Sequence, residues 1–159
     1  MGKCVLLIVG IVTGIILDRI NLREVMKDKD KEVEKLKQNF NLLGEWLAMY
    51  ERGECIEEKL LEMKINTVGI YGMGVLGNHL YRQLENTRVK VNYIIDKNDL
   101  KGVYTAKIIK PCEHMENTDA VIVTPVYQFN NIKRDILQHN DIQVVSLREV
   151  LNAERKEDE

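Results

Sequence analysis

The stretch VGIYGMGVLGNHL, Val68 to Leu80, joins an apolar run to a glycine-rich turn and then to a helical pattern. Gly72-x-Gly74-x-x-Gly77 falls at the junction. This is the spacing of a dinucleotide-binding turn, and its setting strengthens it. Ile65 to Tyr71 reads as a β-strand, and Val75, Leu76, Leu80 and Leu84 then recur with helical period. Gly72 suits the tight turn, Gly74 admits a pyrophosphate to the backbone, and Gly77 allows close packing of helix on strand. The loop residues Gly72, Met73, Gly74, Val75, Leu76 and Gly77 form the candidate phosphate cradle, since a helix N-terminus offers free N–H groups and a positive dipole end. The competing reading is a tight βα turn and nothing more.

Downstream, Val89 to Ile95 reads as a second strand ending at Asp96. That acid follows Gly77 at close to the ~20 residues expected of a ribose-binding acid. It disfavours a 2′-phosphate, while Lys97 beside it works the other way. A surface acid at a strand end is the plainer alternative. Ile108-Ile109 is a short third strand, and the brief chain before it predicts a loop connection in place of a crossover helix. Ala120 to Thr124 and Ile142 to Ser146 are further strands. Val126 to His139 reads as a helix, with Thr124 as cap and Pro125 in its first turn. Thr124 and Pro125 also end a strand on the edge where open α/β sheets bind ligands. Ser146-x-x-Glu149 is a capping box opening a last helix. Strands and helices alternating in this way predict an α/β fold, a small Rossmann-like parallel sheet.

Upstream of residue 65 the pattern changes. Cys4 to Leu17, CVLLIVGIVTGIIL, carries no charge. As a helix it spans roughly 21 Å at ~1.5 Å per residue, against a bilayer core of ~30 Å. Gly2, Ile20 and Leu22 extend it and Lys3 can snorkel. It lacks the basic start and small-residue cleavage site of a signal peptide. The choices left are a membrane anchor over residues 1–20, which we expect, and a buried helix. Lysines and arginines cluster after the run, from Arg19 to Lys37, so the bulk of the chain is expected on the cytoplasmic side of a single span.

Leu22, Met26, Lys29, Val33, Leu36, Phe40, Leu43, Leu47 and Tyr50 then follow a 4-3 spacing, a heptad seam with one polar break. Residues 22–50 read as a parallel coiled-coil homodimer or as one amphipathic helix packed on its own domain, and we expect a mixture: a stalk up to about Lys37, then FNLLGEWLAMY packed on the domain. Gly53 punctuates, and Ile56, Leu60, Leu61 and Met63 give a second short helix an apolar face, completing a helical hairpin. The expected organisation is anchor helix 1–20, amphipathic helix and hairpin 21–64, nucleotide-binding domain 65–152 and charged tail 153–159.

No catalytic set emerges, which leans against an enzyme. Tyr93 and Lys97 match a YxxxK spacing, but on a strand the two groups stand about 13 Å apart at ~3.3 Å per residue. His79, His114 and His139 have no sequence partner suggesting a triad or metal site. Cys112 has no activating neighbour. Three cysteines without a CxxC speak against a disulfide framework or zinc, and a net charge of -2 gives no footprint for nucleic acid.

INTVGIYGMGVLGNHLYRQL, VNYIIDKN, DAVIVTP and VVSLREVL together resemble small Rossmann-like modules of bacterial surface-polysaccharide biosynthesis. Such modules occur at the N-terminus of β-helix sugar acyltransferases, in membrane nucleotide-sugar dehydratases and at the C-terminus of sugar C-methyltransferases. FNLLGEWLAMYERGECIEEKLLEMKI resembles the helical hairpin that precedes some of them. The resemblance implies that Gly72, Gly74, Gly77 and Asp96 approach a nucleotide or nucleotide sugar. The catalytic domains of those families are absent from this chain. The expected function is thus a membrane-anchored accessory protein that binds NAD or a nucleotide sugar and serves capsular or envelope glycan assembly, with a glycan-assembly enzyme as possible partner. Two rivals stay open: an NAD-dependent oxidoreductase or epimerase-type subunit completed by oligomerisation, and an interaction module with a vestigial site.

Overall fold

The structure, a computed structural model, describes residues 2–98, 100, 102–111 and 113–153, with side chains described at Arg19 and from Leu22 onward. The chain divides into two compact units, Met1–Gln38 and Asn39–Glu159. Helix α1, Gly2–Glu51, begins in the first and ends in the second. The side chains of the uncharged Cys4–Leu17 run, and with them the expected anchor, lie outside the described residues. Among the described residues no helix is long and apolar enough to cross a membrane.

The second unit is built on a five-stranded sheet, all parallel, in the order β3-β2-β1-β4-β5. Its strands are β1 Thr67–Tyr71, β2 Lys90–Ile95, β3 Lys107–Ile109, β4 Ala120–Val123 and β5 Gln143–Ser146. This is the order of the first five strands of a Rossmann sheet. All five sit where apolar, β-branched runs predict them. Chain direction reverses its walk across the sheet between β1 and β4, the place where doubly wound sheets open a crevice. Among the described residues no helix joins β2 to β3, as the short connection predicts.

Period-2 alternation divides the strand side chains between two cores. Val68, Ile70, Ile94, Ala120, Ile122 and Val145 face one. It is completed by Leu42, Trp46 and Met49 of α1, by α2 (Ile56–Glu62), by α3 (Val75–Leu84) and by α5 (Leu147–Leu151). Tyr93, Ile95, Val121, Val123 and Val144 face the other, against Ile132 and Ile136 of α4 (Phe129–Leu137). Fully burying each such aliphatic side chain contributes about 1.5–3 kcal/mol, so the sheet is held from both sides.

Local signals explain the element ends. Gly53, at φ +75, takes the left-handed conformation that stops α1. Lys59 of α2 is buried although charged; its Nζ donates to Ala153 O at 2.6 Å and pairs with Glu54 at 2.8 Å. A lysine in this helix reads as a solvated residue in sequence, and only the tertiary fold supplies its two acceptors. At α5 the capping box is complete: Glu149 N donates to Ser146 Oγ at 3.1 Å, and Ser146 N donates to Glu149 Oε2 at 2.7 Å.

Two predictions follow from these contacts. Ser146→Ala removes one arm of the box and should cost about 1 kcal/mol in urea unfolding. Acid should also act through named groups. Arg52 and then Lys59 hold Glu54 down at about 2. Asp119, whose Oδ2 accepts N–H bonds from Asn66 and Thr67 at 2.8 and 2.9 Å, is likewise lowered. A carboxyl whose folded pKa is depressed stabilises above its unfolded value, and loses that contribution as pH falls through the folded one. The unfolding midpoint should therefore drop between about pH 4.5 and 2, and Asp119→Asn should flatten part of that slope.

Candidate functional site

Where β1 ends, the chain turns at Gly72, with φ +88. Three neighbours fix that residue. Its N–H donates to Ile95 O at 2.8 Å, joining it to β2. Its carbonyl accepts the Thr124 hydroxyl at 2.7 Å, joining it to the end of β4. A Cβ added here would lie 2.9 Å from Pro125 Cγ. Thr124 also donates to Tyr71 O at 3.1 Å, so its hydroxyl is spent on the glycine turn. This corrects the expectation that Thr124 caps the next helix. Val126–Gln128 is instead a turn of 3-10 helix entered from Pro125 with no side-chain cap, and α4 starts at Phe129.

Gly77 sits one turn into α3, where a Cβ would run into the Gly72 carbonyl oxygen. Helix and turn can approach this closely only because no side chain intervenes. Gly74 is different. It is the N-cap of α3, at φ -70 and ψ -164, with no side-chain cap bond, and a Cβ there would meet nothing within 4 Å. Packing therefore does not demand a glycine at 74. The first N–H groups of a helix have no partner inside it, and no side chain is spent on these. Gly74 and Val75 are exposed and Met73 half-buried, while Leu76 is buried in the core.

Asp96 lies across from this loop at the end of β2. Its Oδ2 accepts the Met73 N–H at 2.6 Å and its Oδ1 accepts Asn98 N–H at 2.8 Å. The acid that spacing marks for a ribose therefore also anchors the glycine loop. Lys97 is exposed, and its carbonyl, with that of Asn98, receives Lys110 Nζ at 2.9 Å. Lys110, at the end of β3, brings a cation to this edge that short-range spacing gave no means of finding.

The residues without an expected role also have places. Tyr93 is fully buried, its ring packed on Gly69 of the neighbouring strand where a Cβ would collide with it. Burial first, and then Glu116, push its hydroxyl up to about 12. His79 meets Trp46 edge-on at a ring distance of 6.4 Å; His114 and His139 are exposed; Cys112 lies outside the described residues. Among the described residues no three His, Cys, Asp or Glu side chains group as metal ligands. Two grooves lie away from the loop. One, of about 440 Å³, runs beside Tyr81, Asn86 and Lys90. The other, of about 420 Å³, runs beside Lys133, Leu137 and Gln143.

No family model matches this chain, and no curated protein or solved structure matches it.

The three glycines should respond differently to alanine. Gly72→Ala and Gly77→Ala should each destabilise the chain by about 1–3 kcal/mol, from strain at positive φ and from overpacking respectively. Gly74→Ala should cost less, about 0.5–1 kcal/mol, the scale of replacing a favoured N-cap residue by alanine. Urea unfolding of the three variants checks this ordering.

Proposed function

We propose that this chain binds a nucleotide or nucleotide sugar, NAD among the candidates, at the turn between β1 and α3. It does so as a membrane-anchored, cytoplasm-facing accessory protein of envelope or capsular glycan assembly. One observation carries the binding reading: Gly74, where an added Cβ would meet nothing in the fold, is a glycine at a helix N-terminus with no side-chain cap. An approaching pyrophosphate explains that choice, because a side chain there blocks the ligand without touching the fold. The loop also stands at the carboxyl ends of β1 and β4, beside the point where strand order reverses. The glycan connection rests on the resemblance carried by the glycine loop, VNYIIDKN and VVSLREVL. The anchor rests on the uncharged run Cys4–Leu17 and the basic residues after it.

A second reading, an interaction module with a vestigial site, is favoured by one specific contact. Asp96 is already engaged by the loop's own Met73 amide. The two readings part in a titration. Calorimetry of the chain against NAD, NADP, UDP-sugars and free nucleotides should show binding to at least one. Gly74→Val should abolish it with an unchanged far-ultraviolet circular dichroism spectrum. Asp96→Ala should weaken it by about 1–3 kcal/mol, the scale of a hydrogen bond to a charged group. A chain that binds none of the panel is the interaction module; binding that survives Gly74→Val places the ligand elsewhere. The anchor has its own test: full-length protein should stay in membranes through carbonate washing, and deletion of residues 1–17 should release it.

A further inference from the structure

Helix α1 carries two apolar stripes with different fates. Leu42, Trp46 and Met49 are buried in the core of the second unit. Leu22, Met26, Val33 and Leu36 in the first unit, and Phe40, Leu43, Leu47 and Tyr50 in the second, are all exposed. At 100° per residue the two stripes are centred roughly 110° apart. Docking of one therefore leaves the other free. The exposed stripe is not scattered: with Lys29 it keeps an unbroken 4-3 alternation, the period that two helices share when they wind about each other. An amphipathic helix that merely covers its own domain does not need a second stripe.

We infer that this seam pairs with the same seam of a second copy, in parallel and in register, independently of what the glycine loop binds. Three features argue for a second copy as the occupant. The period is self-complementary, so identical residues meet layer by layer. The size is right: Phe40, 76% exposed, and Tyr50, 56% exposed, present together on the order of 500 Å² in a pair of chains. Six aliphatic residues per chain bring the total toward the roughly 1,200–2,000 Å² of a stable interface. The flanking charges also fit a parallel pair. With Val33 and Leu36 as the a and d positions of one heptad, Glu32 stands at g and Lys37 at e. A parallel pair sets Glu32 against Lys37 of the second copy, twice by symmetry. Lys29 at a d position weakens the pair and penalises shifted registers that would bury it against an apolar layer.

The test uses the full chain in detergent micelles, followed by sedimentation equilibrium. A reversible dimer is expected. Glu32→Lys and Lys37→Glu should each raise its dissociation constant about 3- to 10-fold, and the two together should restore it. Lys29→Leu should tighten it by about tenfold or more. Leu47→Glu should dissociate it with an unchanged circular dichroism spectrum, because Leu47 is 61% exposed in the single chain. With the three native cysteines replaced by serine, Leu36→Cys should form a disulfide-linked dimer on oxidation, as only a parallel, in-register pair allows. A chain that stays monomeric at high concentration overturns the inference. So does a dimer indifferent to the charge swap and to Leu47→Glu, which pairs through another surface, or one that Leu36→Cys fails to cross-link. None of these results depends on nucleotide binding, so the failure of either reading leaves the other intact.

Discussion

The carbonyl oxygen of Gly72 is the point on which the α/β unit turns. It accepts the Thr124 hydroxyl, which fixes the end of β4 against the end of β1. It also occupies the space that a side chain at Gly77 would fill, and so sets how near α3 comes to the sheet. The Gly72 amide, through Ile95, fixes β2 in the same way. Three strands and a helix thus converge on one residue. The neighbouring amide at Met73 is held by Asp96. The loop thus has a defined backbone path held by protein hydrogen bonds.

That backbone path separates two kinds of glycine which look alike in a motif. Gly72 and Gly77 are demanded by the fold, by positive φ and by contact with backbone. At Gly74 a side chain would strike nothing among the described residues. Motif spacing cannot make this distinction, because it records residue type and not what a side chain would strike. A tight turn accounts for the first two glycines, and packing does not require the third. The ligand reading therefore draws its strength from Gly74 and from the uncapped amides beside it.

Much of the architecture was legible because the sequence pattern and the fold use the same periods. Apolar runs of strand length, each followed by a turn signal, gave all five strands, and the short Asp96-to-Ile108 interval gave the loop connection. The Ser146 and Glu149 pair gave the last helix because its hydrogen bonds are local. What escaped was non-local. Thr124 precedes a proline and a helical pattern, so a cap was the natural reading; its true acceptors are far upstream in sequence and adjacent only once β1 and β4 pair. Gly69 gave no signal at all. Its constraint is the Tyr93 ring on the next strand, in a register shifted by an irregularity between Val68 and Gly69. Lys59 and Lys110 likewise meet acceptors, Ala153 O and the Lys97 and Asn98 carbonyls, that lie far from them in sequence.

The structural bonds of Asp96 leave room for the binding role proposed for it. An ionised carboxyl offers about four lone-pair positions. Met73 N–H takes one on Oδ2 and Asn98 N–H one on Oδ1, so about two remain, one on each oxygen. A ribose diol needs that number, and in the proposed complex its hydroxyls can donate without displacing the bond that holds the loop. The arrangement also ties the two halves of the proposed site together. The group that would read the sugar is the group that positions the amide next to Gly74, so distortion at either end is transmitted to the other. A loop fixed in this way does not have to be ordered by the ligand, and ordering a flexible loop would cost about 1–2 kcal/mol of backbone entropy per residue. What the ligand then has to supply is a shape and charge that match an existing cradle.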